Sequence, residues 1–210
     1  MNIEILEREK ANVSYAQVVE LMHEAFQERL EQGLNYSCSS MDVTQFMEKT
    51  KNGCVYVAID KDTGILAGTT PINFHQGKKR PYGYMEFVAI SNDYKRFGIA
   101  SRLVRTITDR GKAEGCDYIL SDTSVNAGSA VKFHLKNGFK IIGLESYRST
   151  NYWSYVFRMQ LEPSLLWNNP LFLKLHYWFS YIFIKTTRDI YGNDTAIGKF
   201  YKRVKGLCKN

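Results

Sequence analysis

The run Asp93-Tyr94-Lys95-Arg96-Phe97-Gly98-Ile99-Ala100-Ser101-Arg102-Leu103, DYKRFGIASRL, decides how the chain is read. It leaves a strand-like stretch through two cations, a glycine and small residues. It then opens an amphipathic helix over about 98–114, with Ile99, Leu103, Val104 and Ile107 on one face and Gly115 as terminator. A helix start exposes unpaired N–H groups and a partial positive charge, which an acidic side chain normally answers. The first turn here carries none. Gly98 lets a group approach the backbone, Ala100 and Ser101 keep the space small, and Lys95 and Arg96 add positive charge. The corner suits an anion brought from outside, such as a pyrophosphate; a tight turn between solvated cations fits the same residues.

Outward from this corner the pattern is α/β. Ile3 to Leu6, Cys54 to Ile59, Gly64 to Phe74, Tyr84 to Ile90, Tyr118 to Thr123, Phe139 to Ser146 and Tyr152 to Leu161 read as strands. Tyr15 to Leu30, Met41 to Thr50 and Ser129 to Lys136 read as helices. Asp60 to Gly64 has hairpin-turn chemistry. Alternation along Tyr84 to Ile90 places Tyr84, Glu86, Val88 and Ile90 on one face and Met85, Phe87 and Ala89 on the other. Strands followed by strand-helix-strand-helix-strand give a mixed-sheet α/β (α+β) domain over 1–162. Residues 163–210 form an aromatic and basic extension.

Composition fits a globular enzyme or binding domain: 210 residues, 44% hydrophobic and 23% charged. The charged amino terminus resembles no secretory leader, so a cytoplasmic location is expected. Cys38, Cys54, Cys116 and Cys208 lie far apart without a CxxC or Cys/His cluster, so free thiols and no metal are expected. The net charge of +7 is concentrated at the end, where residues 185–210 hold seven basic and two acidic side chains. The body is nearly neutral, which argues against nucleic acid as the partner.

Taken with the strand before it, YMEFVAISNDYKRFGIASRL resembles the central motif of the GNAT acetyltransferase superfamily: a strand leading into [Gln/Arg]-x-x-Gly-x-[Gly/Ala] at the start of a long helix. Gly98 and Ala100 match. Lys95 stands at the usual Gln or Arg, which keeps the charge and loses the planar fork. NAGSAVKFHLKNGF, Asn126 to Phe139, resembles the family's second motif with one extra residue after the asparagine. The resemblance spans about residues 3–161 and implies the acyl-CoA N-acyltransferase fold, with acetyl-CoA as cosubstrate. By the same resemblance the backbone of Val88, Ala89 and Ile90 would bond the pantetheine arm. The N–H groups of Arg96, Phe97, Gly98, Ile99, Ala100 and Ser101 would hold the pyrophosphate, with the Lys95 side chain at the position of the family's Gln or Arg. Asn126, Ser129, Ala130 and Phe133 would surround the cofactor.

Acetyl transfer to an amine needs a neutral nucleophile, a stabilised oxyanion and a protonated leaving thiolate. Glu86 is the first candidate base, about 6 to 7 Å along the strand from Val88. In some family members the glutamate falls at the position of Tyr84. A structural ion pair is the bland reading of Glu86. His134 stands where the family often has a proton-donating tyrosine, and as acid, base or polar wall it is chemically able. Cys116 has no local base, against an acyl-cysteine route. The expected activity is acetyl transfer to a primary amine of a small-molecule acceptor; the alternative is a non-catalytic acyl-CoA-binding module.

The tail from Leu171 to Ile184 is rich in Phe, Tyr, Trp and Leu, yet Lys174 and His176 interrupt it, and it is too short for a span of about 20 apolar residues. Followed by basic residues, it fits packing on the domain, a homodimer, or contact with an anionic membrane surface that would place the protein at the membrane periphery.

Overall fold

The computed structural model describes residues 1–78 and 80–207; Cys208 and Lys209, which entered the thiol and charge readings, lie outside them, as do Lys79 and Asn210. The chain is a mixed α/β fold of eight strands and six helices, divided into two compact units. The first unit comprises 1–121 and 159–162, and the second 122–158 and 163–210.

In the first unit β1 (Ile3–Glu7), β2 (Gly53–Asp60), β3 (Leu66–His75) and β4 (Tyr82–Met85) form antiparallel neighbours. The start of β6 (Tyr118–Ser124) pairs in parallel with β4, Gly83 to Ile119 and Tyr84 to Leu120. Helices α1 (Tyr15–Glu31) and α2 (Val43–Thr50) both open with a capping box, Ser14 with Gln17 and Asp42 with Gln45. Each box satisfies two orphan donors reciprocally and fixes where the helix starts. Val18, Met22, Phe46, Val55 and Val57 bury one apolar cluster with these helices. On α3 (Ile99–Ala113), Ile99, Leu103, Val104 and Ile107 are buried, and its end is set by Gly115 at φ 70°.

One strand departs from the sequence reading. Tyr84 to Ile90 is not continuous: β4 stops at Met85 and β5 is only Ala89–Ile90. From Met85, opposite Ile72, to Ala89, opposite Thr69, four steps on this strand meet three on β3. The extra residue is a bulge, and Phe87 at φ 46° absorbs it. Alternating burial survives on either side, with Met85 and Ala89 buried, which is why period two looked unbroken.

The second unit holds β7 (Lys140–Ser146) antiparallel to β8 (Trp153–Gln160), whose last two residues belong to the first unit. It also holds α4 (Gly128–Lys136), α5 (Pro170–Thr187) and α6 (Ala196–Leu207). Helix α5 lies along β7. The Ser180 hydroxyl takes the N–H of Leu144 at 3.0 Å and donates to its carbonyl at 3.3 Å, and a ring nitrogen of His176 lies 2.6 Å from the carbonyl of Ile142. A Cβ on Gly143 would come within 2.5 Å of Ser180 Oγ, so the glycine permits this approach. No described helix is long and apolar enough to cross a membrane.

Leu103 is fully buried on α3. Leu103→Ala is expected to lower stability by about 2 to 5 kcal/mol, read as a fall in the urea midpoint with an unchanged slope.

Candidate functional site

The corner that opens the sequence is built in the first unit. After β5 a short 3-10 turn, Asn92–Tyr94, is held from α1: Glu24 accepts from the N–H of Asn92 at 3.0 Å and from the Ser91 hydroxyl at 3.3 Å. Tyr94 donates its hydroxyl to Asp60 at 3.1 Å. The chain then takes two left-handed residues, Arg96 at φ 70° and Gly98 at φ 77°, before α3 begins. Among the described residues, the N–H groups of Arg96 to Ser101 donate to no backbone carbonyl, and Arg102 is the next to do so, to Gly98. Gly98 caps the helix without a side-chain bond, and no acid lies in the first turn. A Cβ built on Gly98 would meet nothing within 4 Å, so the backbone faces open space. Arg96 and Phe97 are exposed, and Lys95 rests 3.7 Å from Glu28. Successive amides with left-handed residues among them lie at the positive end of a 15-residue helix, an arrangement suited to an anion.

Beside it, the bulge shapes a second feature. The N–H of Ser91 points to Ala67 on β3, so by the pleat the N–H and C=O of Ile90 turn to the opposite edge. The only ladder described for β5 is with β3, and β4 and β6 pair no further than Tyr84 and Leu120. Glu86 sits within the bulge and is largely buried. Its carboxylate lies 2.9 Å from Lys49 Nζ on α2 and accepts from Asn73 Nδ2 on β3 at 3.1 Å. The same amide donates to the Lys49 carbonyl at 2.9 Å. Asn73 Oδ1 is buried without a partner among the described residues. That orphan costs on the order of 1 to 3 kcal/mol, a sign that the amide is turned to serve Glu86 and α2 rather than itself. Tyr84 lies opposite Asn73 in register and meets His75 edge-on at 6.4 Å.

The remaining sequence candidates belong to the second unit. Asn126 and Ser129 are exposed, and Ala130 and Phe133 are half-buried on and before α4, which also begins without a side-chain cap. His134 is 5% exposed. Its ring stacks on Phe157 at 4.4 Å and meets Phe133 and Phe139 edge-on, with Nδ1 2.8 Å from the Ala130 carbonyl. Burial holds its pKa below the ordinary 6.5. With Nδ1–H donated to that carbonyl, the neutral ring has an acceptor at Nε2 and no second proton. Burial also pushes the Cys116 thiol up to about 11, leaving little thiolate for nucleophilic attack. Cys54 and Cys116 are free thiols.

The sequence profile of the Acetyltransferase (GNAT) family matches residues 15–139, more than half of the chain and both motifs. The chain belongs to the GNAT family. The N-alpha-acetyltransferase 30 of Saccharomyces cerevisiae is 30% identical to it over 90 residues, 40% of this chain and 50% of that protein. The chain thus spans about half the length of that relative. Among solved structures, the Salmonella typhimurium protein yncA with its cofactor acetyl-CoA shares the fold at a TM-score of 0.61 and 13% identity, covering 79% of this chain and 97% of that one. A chain of the NatC complex bound to Gag peptide and CoA superposes at 0.58 and 18% identity, covering 77% and 100%. The eight strands and six helices match the GNAT fold expected from the sequence.

Sequence reasoning named the GNAT corner and Glu86 but missed Lys49, Asn73 and Glu24, which come from other elements. The available signal was an asparagine inside an otherwise apolar stretch of β3, Pro71-Ile72-Asn73-Phe74.

Below pH 6.5 the unfolded chain binds a proton on His134 that the folded chain resists, so stability falls as pH drops through that value. His134→Phe is expected to flatten the stability–pH slope just below pH 6.5 while the carboxylate-driven loss in acid remains, as read by denaturant titration at each pH.

Proposed function

We propose that the chain transfers the acetyl group of acetyl-CoA to a primary amine. The observation that carries this reading is the corner: six consecutive N–H groups with no backbone acceptor among the described residues, opening onto free space at a helix start. These groups would take the pyrophosphate, with Lys95 and Arg96 adding charge. The outward backbone edge of β5 beside it would bond the pantetheine arm as an added strand does, drawing on Val88, Ala89 and Ile90. On the second unit, Asn126, Ser129, Ala130 and Phe133 are assigned to the cofactor from the motif alone.

In the reaction the amine nitrogen bonds to the thioester carbonyl carbon, the C–S bond breaks, and the amine proton must leave while the thiolate gains one. Glu86 is assigned as the proton acceptor. Lys49 and Asn73 orient its carboxylate, and positioning of this kind is what general-base catalysis requires. Tyr84, across from Asn73, would stand beside the same acceptor. His134 is assigned as a packed wall and not the acid, because its burial and its bond to Ala130 leave it no proton to give near neutral pH.

The comparisons do not separate the small-molecule acceptor expected from sequence from a peptide, since one relative is named an N-alpha-acetyltransferase and one solved neighbour holds a peptide, while another is an aminoglycoside 6'-acetyltransferase. The reading favoured here is a free amine at the end of a chain or on a small molecule, to be separated by assay. Purified protein with acetyl-CoA is offered peptides with free or blocked α-amines and a panel of small amines, and thiol release is followed. Release with free-amine peptides alone would assign a peptide acceptor. Tight coenzyme A binding with no release on any amine would favour the acyl-CoA-binding module.

Glu86→Gln is expected to lower kcat by about 100- to 10,000-fold with coenzyme A affinity within about twofold. Gly98→Val adds a branched side chain at φ 77° and into the approach path. It should weaken coenzyme A by roughly tenfold or more in calorimetry, while the acceptor KM holds.

A further inference from the structure

Helix α5 attaches to the sheet in part through polar side chains: His176 and Ser180 bond the backbone of β7, and Ile184 and Thr187 are buried further along. Much of its apolar surface is left outside. Leu171, Leu175, Trp178, Phe179 and Ile182 recur at helical spacing as one stripe, each exposed, with Leu171 at 65% and Phe179 at 63%. Helix α6 repeats the arrangement. Gly198 packs tightly against Thr187 at the end of α5, and Ile197, Phe200 and Tyr201 are exposed, Phe200 at 68%. Single exposed apolar residues need no explanation, but a helical stripe of them on α5, joined by a second exposed set on α6, does.

The charges beside the stripe select its occupant. By helical position Lys174 and Lys185 flank one edge of the α5 stripe next to Trp178, and Lys199, Arg203 and Lys205 ride on α6. Lys174, Lys199 and Arg203 enter no ion pair among the described residues, while the two acids of this segment are already engaged, Asp194 with Lys202 and Asp189 with the turn at Asn193. A second copy meeting this face about a two-fold axis would set these cations against their own images. A nucleic acid would leave the leucines and phenylalanines unburied. Aromatic and aliphatic residues bordered by unpaired lysines match the boundary between acyl chains and anionic headgroups.

We propose that the α5–α6 face docks the protein on an anionic lipid bilayer, with Leu175, Trp178, Phe179 and Phe200 inserted and Lys174, Lys199 and Arg203 on the headgroups. The test is co-sedimentation of the full chain with phosphatidylcholine vesicles, plain or doped with phosphatidylglycerol, at low and high salt. Binding to the doped vesicles, weakened by salt and accompanied by a blue shift of tryptophan emission that Trp178→Phe removes, is the expected result. Lys174→Glu with Arg203→Glu should weaken binding by more than about fivefold per site, each site losing a cation and gaining an anion. Leu175→Ser with Phe179→Ser should abolish it while the circular dichroism melt is unchanged, since both side chains are exposed. A chain that stays in the supernatant with both vesicle types overturns the proposal, as does equal binding to neutral vesicles. A dimer that Leu175→Ser with Phe179→Ser splits in light scattering, without vesicle binding by the parent chain, assigns the face to a second copy instead.

Discussion

One residue more on the strand than on its partner, between Met85 and Ala89, sets the layout of the first unit's site. The insertion forces Phe87 into the left-handed region, at a cost of order 1 to 3 kcal/mol, and interrupts the ladder that would otherwise run on to the corner. Interruption is the useful outcome. It leaves β5 bonded to β3 along one edge among the described residues, so that a short strand with an open side leads directly into the turn of unpaired amides.

The corner itself depends on a complementary economy of side chains. Arg96 and Gly98 in left-handed conformations turn successive amides outward, and the absence of a cap or an early acid leaves the helix end uncompensated. Both properties are local, which is why the residues DYKRFGIASRL could be read for them directly. The buried face of α3 was equally legible, because a 3.6-residue period needs no knowledge of the partner.

What escaped the sequence was nonlocal or disguised. The bulge was hidden because Met85 and Ala89 are buried as an unbroken alternation requires and Phe87 is itself a good strand residue. Lys49 and Asn73 lie far from Glu86 in the chain, and only the pairing of β3 with β4 and the packing of α2 bring them to it. His134 kept its motif position, but the aromatic box of Phe133, Phe139 and Phe157 that buries it is assembled partly from β8. In the tail, Lys174 and His176 looked like interruptions of an apolar run; His176 instead joins Ser180 in bonding β7, and much of the run is left exposed.

The contact between Lys95 and Glu28 has a consequence for how the corner responds to its ligand. Both partners are substantially exposed, so the pair holds the ammonium by no more than about 1 kcal/mol. Glu24, one turn earlier on α1, meanwhile fastens the backbone of the same loop. The helix therefore treats the two parts differently, clamping the frame and only mooring the cation, so that the lysine can swing to an arriving phosphate without loosening the loop that presents the amides.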